Sequence, residues 1–348
     1  MQSRSRRRLT AAALSIGCAA ALGACGASSK STSSAGTSSA AAATGGASKH
    51  ITIAGVTFDN TDPYFISMEC GAQAEAKQLG VTLNWQPSPK PDVPSELTTL
   101  SSVAVTNPSA VILDPTEPVP FDAPVKALMA KGTPVVTVDG HLGENVALQS
   151  VTVDYSGGAS SLIAPMEKAL GPHGTLGVIA YQAGNSGDMQ KYDPVIAAVR
   201  KALPGVKILP IEYTLADETK SASDAAAMIQ GNPGLNVIYA SNGPEGVGAA
   251  AGIKSAGASG RVKLFSFDAV PQEVTGVKDG TFSAIVGGSP YLEGTLAVKT
   301  LAGYLHGRSG SDPVSPTTPY STTTGVKLLD KSNIDAASSQ PYHYLASC

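Results

Sequence analysis

Short runs of β-branched and other apolar residues alternate with longer Ala-rich stretches from Ile51 onward, and this alternation restricts the fold more than any other feature of the chain. The strand-like runs cover 51–58, 81–86, 110–114, 134–139 and 151–155, then 175–181, 206–213, 236–241, 263–267 and 282–286. Several are unbroken, as in Ala110-Val111-Ile112-Leu113, which suits strands covered on both faces. Helices are predicted between them at 63–79, 95–105, 121–131, 158–170, 192–203 and 292–305. Alternating strands and helices with right-handed crossovers build a parallel sheet. The pattern pauses near 151–158 and then resumes, which predicts an α/β chain of two doubly wound parallel-sheet lobes with a cleft between them. The expected boundaries are 50–153 with 289–318 for the N-terminal lobe, 154–288 with 319–330 for the C-terminal lobe, and 331–348 as a tail. Chain crossings near 153–155, 287–290 and 319–324 then form a hinge of several segments.

The N-terminus carries a different signal. Arg4, Arg6, Arg7 and Arg8 precede an apolar run over 9–22, and small residues follow it, the order of a secretory signal peptide. The run is shorter than the roughly 20 apolar residues a membrane-spanning helix needs. Leu22-Gly23-Ala24-Cys25 resembles a bacterial lipobox, so 1–24 is expected to be removed and Cys25 to take a lipid that holds the protein on the outer face of the cell membrane. The alternative is an ordinary signal peptide with Cys25 incidental. Residues 25–49, almost all Ser, Ala, Gly and Thr, read as a flexible linker. Loss of the four arginines leaves 20 Lys and Arg against 27 Asp and Glu, a net charge of −7. Such a surface lacks the basic patch that would attract nucleic acid.

Ligands of open parallel sheets bind beyond the carboxyl ends of the strands. The residues there are polar or aromatic: Asp59-Asn60-Thr61-Asp62-Pro63-Tyr64-Phe65 after the first run, then Asp114, Asp139, Asn242 and Asp268. Pro63 is placed to open a helix. Each acid alone also reads as a helix cap or turn residue, so it is their convergence on one edge that points to a site. Catalytic motifs are absent from the sequence: it contains no phosphate-binding loop, no His-Glu-x-x-His, and no Gly-x-Ser-x-Gly. The five histidines show no metal-ligand spacing, and only His141, beside Asp139, is placed to reach the cleft. These readings predict a binding protein with no cofactor and no metal.

In their order and spacing these residues resemble the ribose- and galactose-type periplasmic sugar-binding proteins of ABC importers, over about residues 51–329. The resemblance rests on Asp62-Pro63-Tyr64-Phe65 with Gly71-Ala72 and Ala76, on Pro134-Val135-Val136-Thr137-Val138-Asp139, on Ser241-Asn242, and on Phe267-Asp268 with Val277-Lys278-Asp279-Gly280. It implies that Tyr64 and Phe65 stack on sugar faces and that Asp139, Asn242 and Asp268 bind hydroxyls; Asp62 and His141 join the expected ligand-binding set by their positions in the sequence alone. It also implies a membrane permease as partner and a monomeric, extracytoplasmic protein that binds a sugar-like solute. A lipoprotein feeding a sensory receptor would show the same sequence, whereas an extracellular hydrolase would need the missing catalytic groups. Three family positions depart from the pattern: Gly140 and Gly288 replace an arginine and a glutamine, and Met189, with Lys191 nearby, stands for a second arginine. These changes predict an enlarged cleft with fewer donors, suited to a larger, more apolar or substituted ligand.

Cys18 falls in the expected signal and Cys25 at its cut, which leaves Cys70 and Cys348 as a pair in a compartment where disulfides persist. Pro341-Tyr342-His343-Tyr344-Leu345 would let the tail pack back on the first lobe and bring the two cysteines together. The alternative is a buried Cys70 and a free Cys348 at a frayed chain end.

Overall fold

A computed structural model describes residues 50–308 and 312–348. The predicted signal segment, Cys25 and the linker lie outside the described residues. Two six-stranded sheets carry the fold. The first takes β1 (Thr52–Thr57), β2 (Thr82–Pro87), β3 (Ala110–Leu113), β4 (Val135–Val138), β5 (Gln149–Val153) and β11 (Ser321–Thr324) in the order β11-β5-β4-β3-β1-β2. The second takes β6 (Thr175–Ala180), β7 (Lys207–Tyr213), β8 (Leu235–Ala240), β9 (Lys263–Phe267), β10 (Ala284–Gly287) and β12 (Lys327–Leu329) in the order β12-β10-β9-β8-β6-β7. All pairings are parallel except β10 with β12, where Ile285 faces Leu329. The central strands β3, β4 and β6 are buried along their whole length, as their unbroken apolar runs require.

Helices α1 (Pro63–Leu79), α2 (Val93–Val105) and α3 (Asp122–Ala130) accompany the first sheet, and α9 (Pro290–His306) returns to it from the second. Helices α4 (Tyr155–Leu170), α5 (Ser186–Ala202), α6 (Glu218–Gly231), α7 (Gly243–Ser255) and α8 (Pro271–Asp279) cover the second. Local chemistry explains the helix starts nearest the cleft. Asp62 caps α1 by accepting from the Tyr64 N–H at 2.8 Å, and Pro63 fills the first turn. Asn185 caps α5 by accepting from the Asp188 N–H at 2.8 Å. Helices α1 and α9 meet backbone to backbone: a Cβ on Gly71 would lie 1.9 Å from the Tyr291 carbonyl oxygen, and one on Gly294 would lie 2.0 Å from that of Met68. Only glycine permits that approach.

The chain crosses between sheets after Val153, after Gly287 and between Thr324 and Lys327. One expected boundary is corrected here. Residues 319–330 do not belong wholly to the second lobe, because β11 pairs in parallel with β5 of the first sheet, Ser321 beside Ser150, and only β12 joins the second. The Ser-Thr-Thr-Thr sequence of β11 is an edge strand with one buried residue, so no apolar run announces it.

Candidate functional site

The carboxyl ends of both sheets face a common cavity, lined from the first lobe by Phe58, Asp59, Asp62, Tyr64, Phe65 and Asp139. The second lobe contributes Tyr181, Asn185, Asp188, Lys191, Ala216, Asn242, Pro244, Glu245 and Asp268. Asp139 and Asp268 occupy matching places just beyond β4 and β9, and both have left-handed backbone, with φ of 53° and 94°. Non-glycine residues held in this way turn the chain abruptly at a strand end and are typical of sites that aim a side chain.

Three aromatic rings form one wall. Phe65 meets Phe58 edge to face at 4.8 Å between centroids, and Phe58 meets Tyr181 at 5.8 Å. Tyr64 plays another part. It is 2 % exposed, and its hydroxyl lies 3.1 Å from Asp139 Oδ1 and 2.6 Å from Glu293 Oε2. Burial, reinforced by repulsion from Asp139, holds the Glu293 carboxyl well above its usual range. The Tyr64 hydroxyl has one proton to give, and these two carboxyl groups share it. Tyr155, at the start of α4, also donates to Asp139 Oδ1. Tyr64 is therefore chiefly a tie between the α9 acid and the strand-end acid, and Phe65 presents the freer ring.

The second lobe supplies the cation. Lys191 Nζ donates to Asn242 Oδ1 at 2.9 Å, sits 3.4 Å from Asp268 Oδ1, and lies 4.9 Å from the centre of the Tyr64 ring. Burial by itself lowers the Lys191 ammonium, but the attraction of Asp268, Asp139, Asp188 and Asp62 outweighs it and the net change is upward. Burial, with repulsion from Asp268, pushes the Asp62 carboxyl up to about 7, against the pull of the Tyr64 N–H and Lys191. Burial likewise pushes Asp188 up to about 7, although it accepts from Ser241, from Asn242 Nδ2 at 2.9 Å and from the Tyr181 N–H at 2.9 Å. Asp268 is raised by burial and restrained by Lys191 and the Tyr344 hydroxyl.

The lobes also touch at the mouth of the cleft. Tyr181 Oη donates to the Pro91 carbonyl at 3.2 Å, the Ser186 N–H to that of Thr116 at 3.2 Å, and Ser186 Oγ to that of Pro115 at 3.1 Å. This is a closed arrangement.

Of the residues singled out in the sequence, Asp62, Tyr64, Phe65, Asp139, Asn242 and Asp268 line the cavity. His141 and Met189 do not. His141 is solvent-exposed and only its backbone N–H reaches Ser186 Oγ, at 3.4 Å. Met189 is 38 % exposed on the outer side of α5, while Asp188 and Lys191, three residues apart on one helix face, point inward. That spacing was the available signal for Lys191. The expected enlargement of the cleft is corrected as well. A Cβ on Gly140 would lie 2.5 Å from the Pro115 carbonyl oxygen, so the backbone itself fills that position. A Cβ on Gly288 would meet the Val153 methyls at 3.1 and 3.3 Å and, at 3.5 Å, the hydroxyl of Tyr344 of the tail, which donates to Asp268 Oδ1 at 3.0 Å. The tail is held there by a disulfide between Cys70 and Cys348, 278 residues apart.

Comparison with known proteins places this geometry in context. A family described as periplasmic binding protein domain matches residues 53–309. The D-allose-binding periplasmic protein of Escherichia coli is 25% identical over 250 residues, covering 69% of this chain and 80% of the relative. The ribose import binding protein of Bacillus subtilis is 23% identical over 270 residues, covering 78% and 87%. Among solved structures, an ABC transporter solute-binding protein from Agrobacterium vitis, bound with α-D-tagatopyranose, superposes with a TM-score of 0.78 at 26% identity over 85% of this chain and 99% of that one.

Proposed function

Because this chain belongs to the periplasmic binding protein domain family, we propose that it is the solute-binding component of an ABC importer and that its ligand is a sugar or sugar-derived polyol. The cleft binds the ligand without converting it. One observation carries this reading: an aromatic wall of Phe65, Phe58 and Tyr181 lines the same cavity as the polar groups of Asp62, Asp139, Asn242, Asp268 and Lys191. A sugar presents C–H bonds on its ring faces and hydroxyls at its edge. Aromatic planes match the first and charged acceptors, which make the stronger hydrogen bonds, match the second.

Binding acts through closure. A solute that touches Phe65 and Asp139 on one lobe and Asn242 and Asp268 on the other makes its full set of contacts only when the lobes are shut, so it shifts the population toward the closed form. The membrane permease then recognises that form. The N-terminal sequence supports export, lipid attachment at Cys25 and a tether over 26–49 long enough to let a monomeric body reach the permease.

A thermal-shift screen of the purified protein against D-ribose, D-allose, D-tagatose, other monosaccharides and polyols tests the proposal. A ligand present at 100 times its Kd adds about 2.7 kcal/mol of stability. Melting temperatures unmoved by every sugar and polyol at millimolar concentration would overturn it.

A further inference from the structure

After β12 the chain leaves the second sheet and ends on the first lobe. On the second-lobe side it is tied by a 3-10 turn, Ala337–Tyr342, against β12, and by the Tyr344 N–H, which donates to the Ala269 carbonyl at 3.0 Å. On the first-lobe side the Leu345 N–H donates to Ser67 Oγ at 2.7 Å, and Cys348 is bonded to Cys70; both partners belong to α1. Between these attachments Tyr344 is 4 % exposed. Its hydroxyl gives its proton to Asp268 Oδ1 and accepts from the Gly288 N–H at 3.2 Å, and its ring meets the Tyr64 ring edge to face at 5.5 Å. Gly288 lies in the second crossing between the lobes, so one side chain touches the hinge, a strand-end carboxylate of the cleft and the first helix.

We propose that residues 343–348 are a strap across the hinge, pinned covalently to the first lobe, that holds the Asp268 carboxylate in position and limits how far the lobes open. The geometry leaves little slack. Tyr344 and Cys348 are four residue steps apart, a reach of at most about 14 Å when fully extended. Cys70 lies six residues along α1 from Tyr64, about 9 Å at helical rise. Opening that carries α1 away from Gly288 soon exhausts the remaining length and must draw the Tyr344 hydroxyl off Asp268 and Gly288. Without the disulfide, the Leu345–Ser67 bond is the principal polar hold on α1, and a hydrogen bond of that kind is weak enough to exchange with water.

The test needs no ligand, so it stands or falls separately from the assignment of a sugar. Hydrogen exchange and small-angle scattering are measured on the full chain, oxidised or treated with a phosphine reductant, and on Cys348→Ser and Tyr344→Phe. Reduction is expected to speed exchange of the Gly288 amide by about tenfold, the loss of one hydrogen bond, and to increase the radius of gyration. Cys348→Ser reproduces both effects and no longer responds to reductant. Tyr344→Phe keeps the ring and the disulfide, so it speeds exchange at Gly288 while the radius stays at the parent value. Unchanged exchange at Gly288 and an unchanged radius on reduction overturn the strap, and unchanged exchange in Tyr344→Phe overturns the positioning role of the hydroxyl.

Discussion

Replacing Lys191 with methionine removes the one ammonium, among the described residues, that lines a cavity bordered by Asp59, Asp62, Asp139, Asp188, Glu245 and Asp268. At its 3.4 Å distance from Asp268 and an effective dielectric of about 20, the attraction to that carboxylate alone is about 5 kcal/mol. Burying both groups costs part of this, and breaking one partner of a buried pair typically costs about 3–5 kcal/mol. The cost depends on pH, and the sign follows from the shifts. Asp62 and Asp188 titrate near 7 with Lys191 present and rise further without it. A carboxylate whose folded pKa is raised takes up protons on folding, so its contribution favours the folded state at low pH and is lost as pH rises through the folded value. Lys191 is shifted upward from its ordinary value and stays charged across this range. Lys191→Met should therefore destabilise the protein by about 3–5 kcal/mol at pH 8.5 and by less at pH 5, where Asp62 and Asp188, both pushed up to about 7, are neutral. Urea unfolding of parent and variant at the two pH values measures this. An equal penalty at both would show that the cluster does not respond as one electrostatic unit and would refute the reasoning.

Phe65→Ala and Asp268→Asn should each weaken solute binding by about 1–3 kcal/mol, read by calorimetry with a ligand identified in the screen, because one loses ring contact and the other a charged acceptor. Parent-like affinity in both would move the site elsewhere. Gly294→Ala should destabilise by about 1–3 kcal/mol or more in urea unfolding, since the added methyl meets the Met68 carbonyl and the α1–α9 pair must separate; a parent-like midpoint would contradict the close backbone packing. Cys25→Ala should leave the protein unprocessed or released, because stable anchoring needs more than one acyl chain. Membrane fractionation reads the result, and full retention in the membrane fraction of a correctly cleaved Cys25→Ala protein would count against lipid attachment.

Much of the fold was legible because the signals for it are local. Unbroken apolar runs such as Ala110–Leu113 suit strands buried on both faces, and Asp62-Pro63 carries both a cap and a first-turn residue within two positions. Alternation of strand and helix then leaves few topologies, and the rule that ligands sit beyond the strand ends places Asp139, Asn242 and Asp268 at a cleft without any coordinates. Where the reading went astray, the decisive quantity was an angle or a distance between residues remote in sequence. Met189 and Lys191 differ by two positions, about 200° around a helix; the three-residue spacing of Asp188 and Lys191 puts those two on one face, and the docking of α5 on β6 turns that face to the cavity.

The sequence alone determined the class of fold, the order of the elements and the set of acids and aromatics at the strand ends, since propensity, capping and periodicity act over a few residues. Tertiary structure alone decided that the polar strand Ser321–Thr324 completes the first sheet, and that Tyr64 reaches Asp139 and, 229 residues along the chain, Glu293 rather than chiefly lining the cavity. It also decided that the Tyr344 hydroxyl accepts from the Gly288 N–H. Each of these rests on a contact closed over a long loop. Its free energy comes from burial and hydrogen bonding that exist only once the distant partner has arrived, and nothing in the neighbouring residues encodes that arrival.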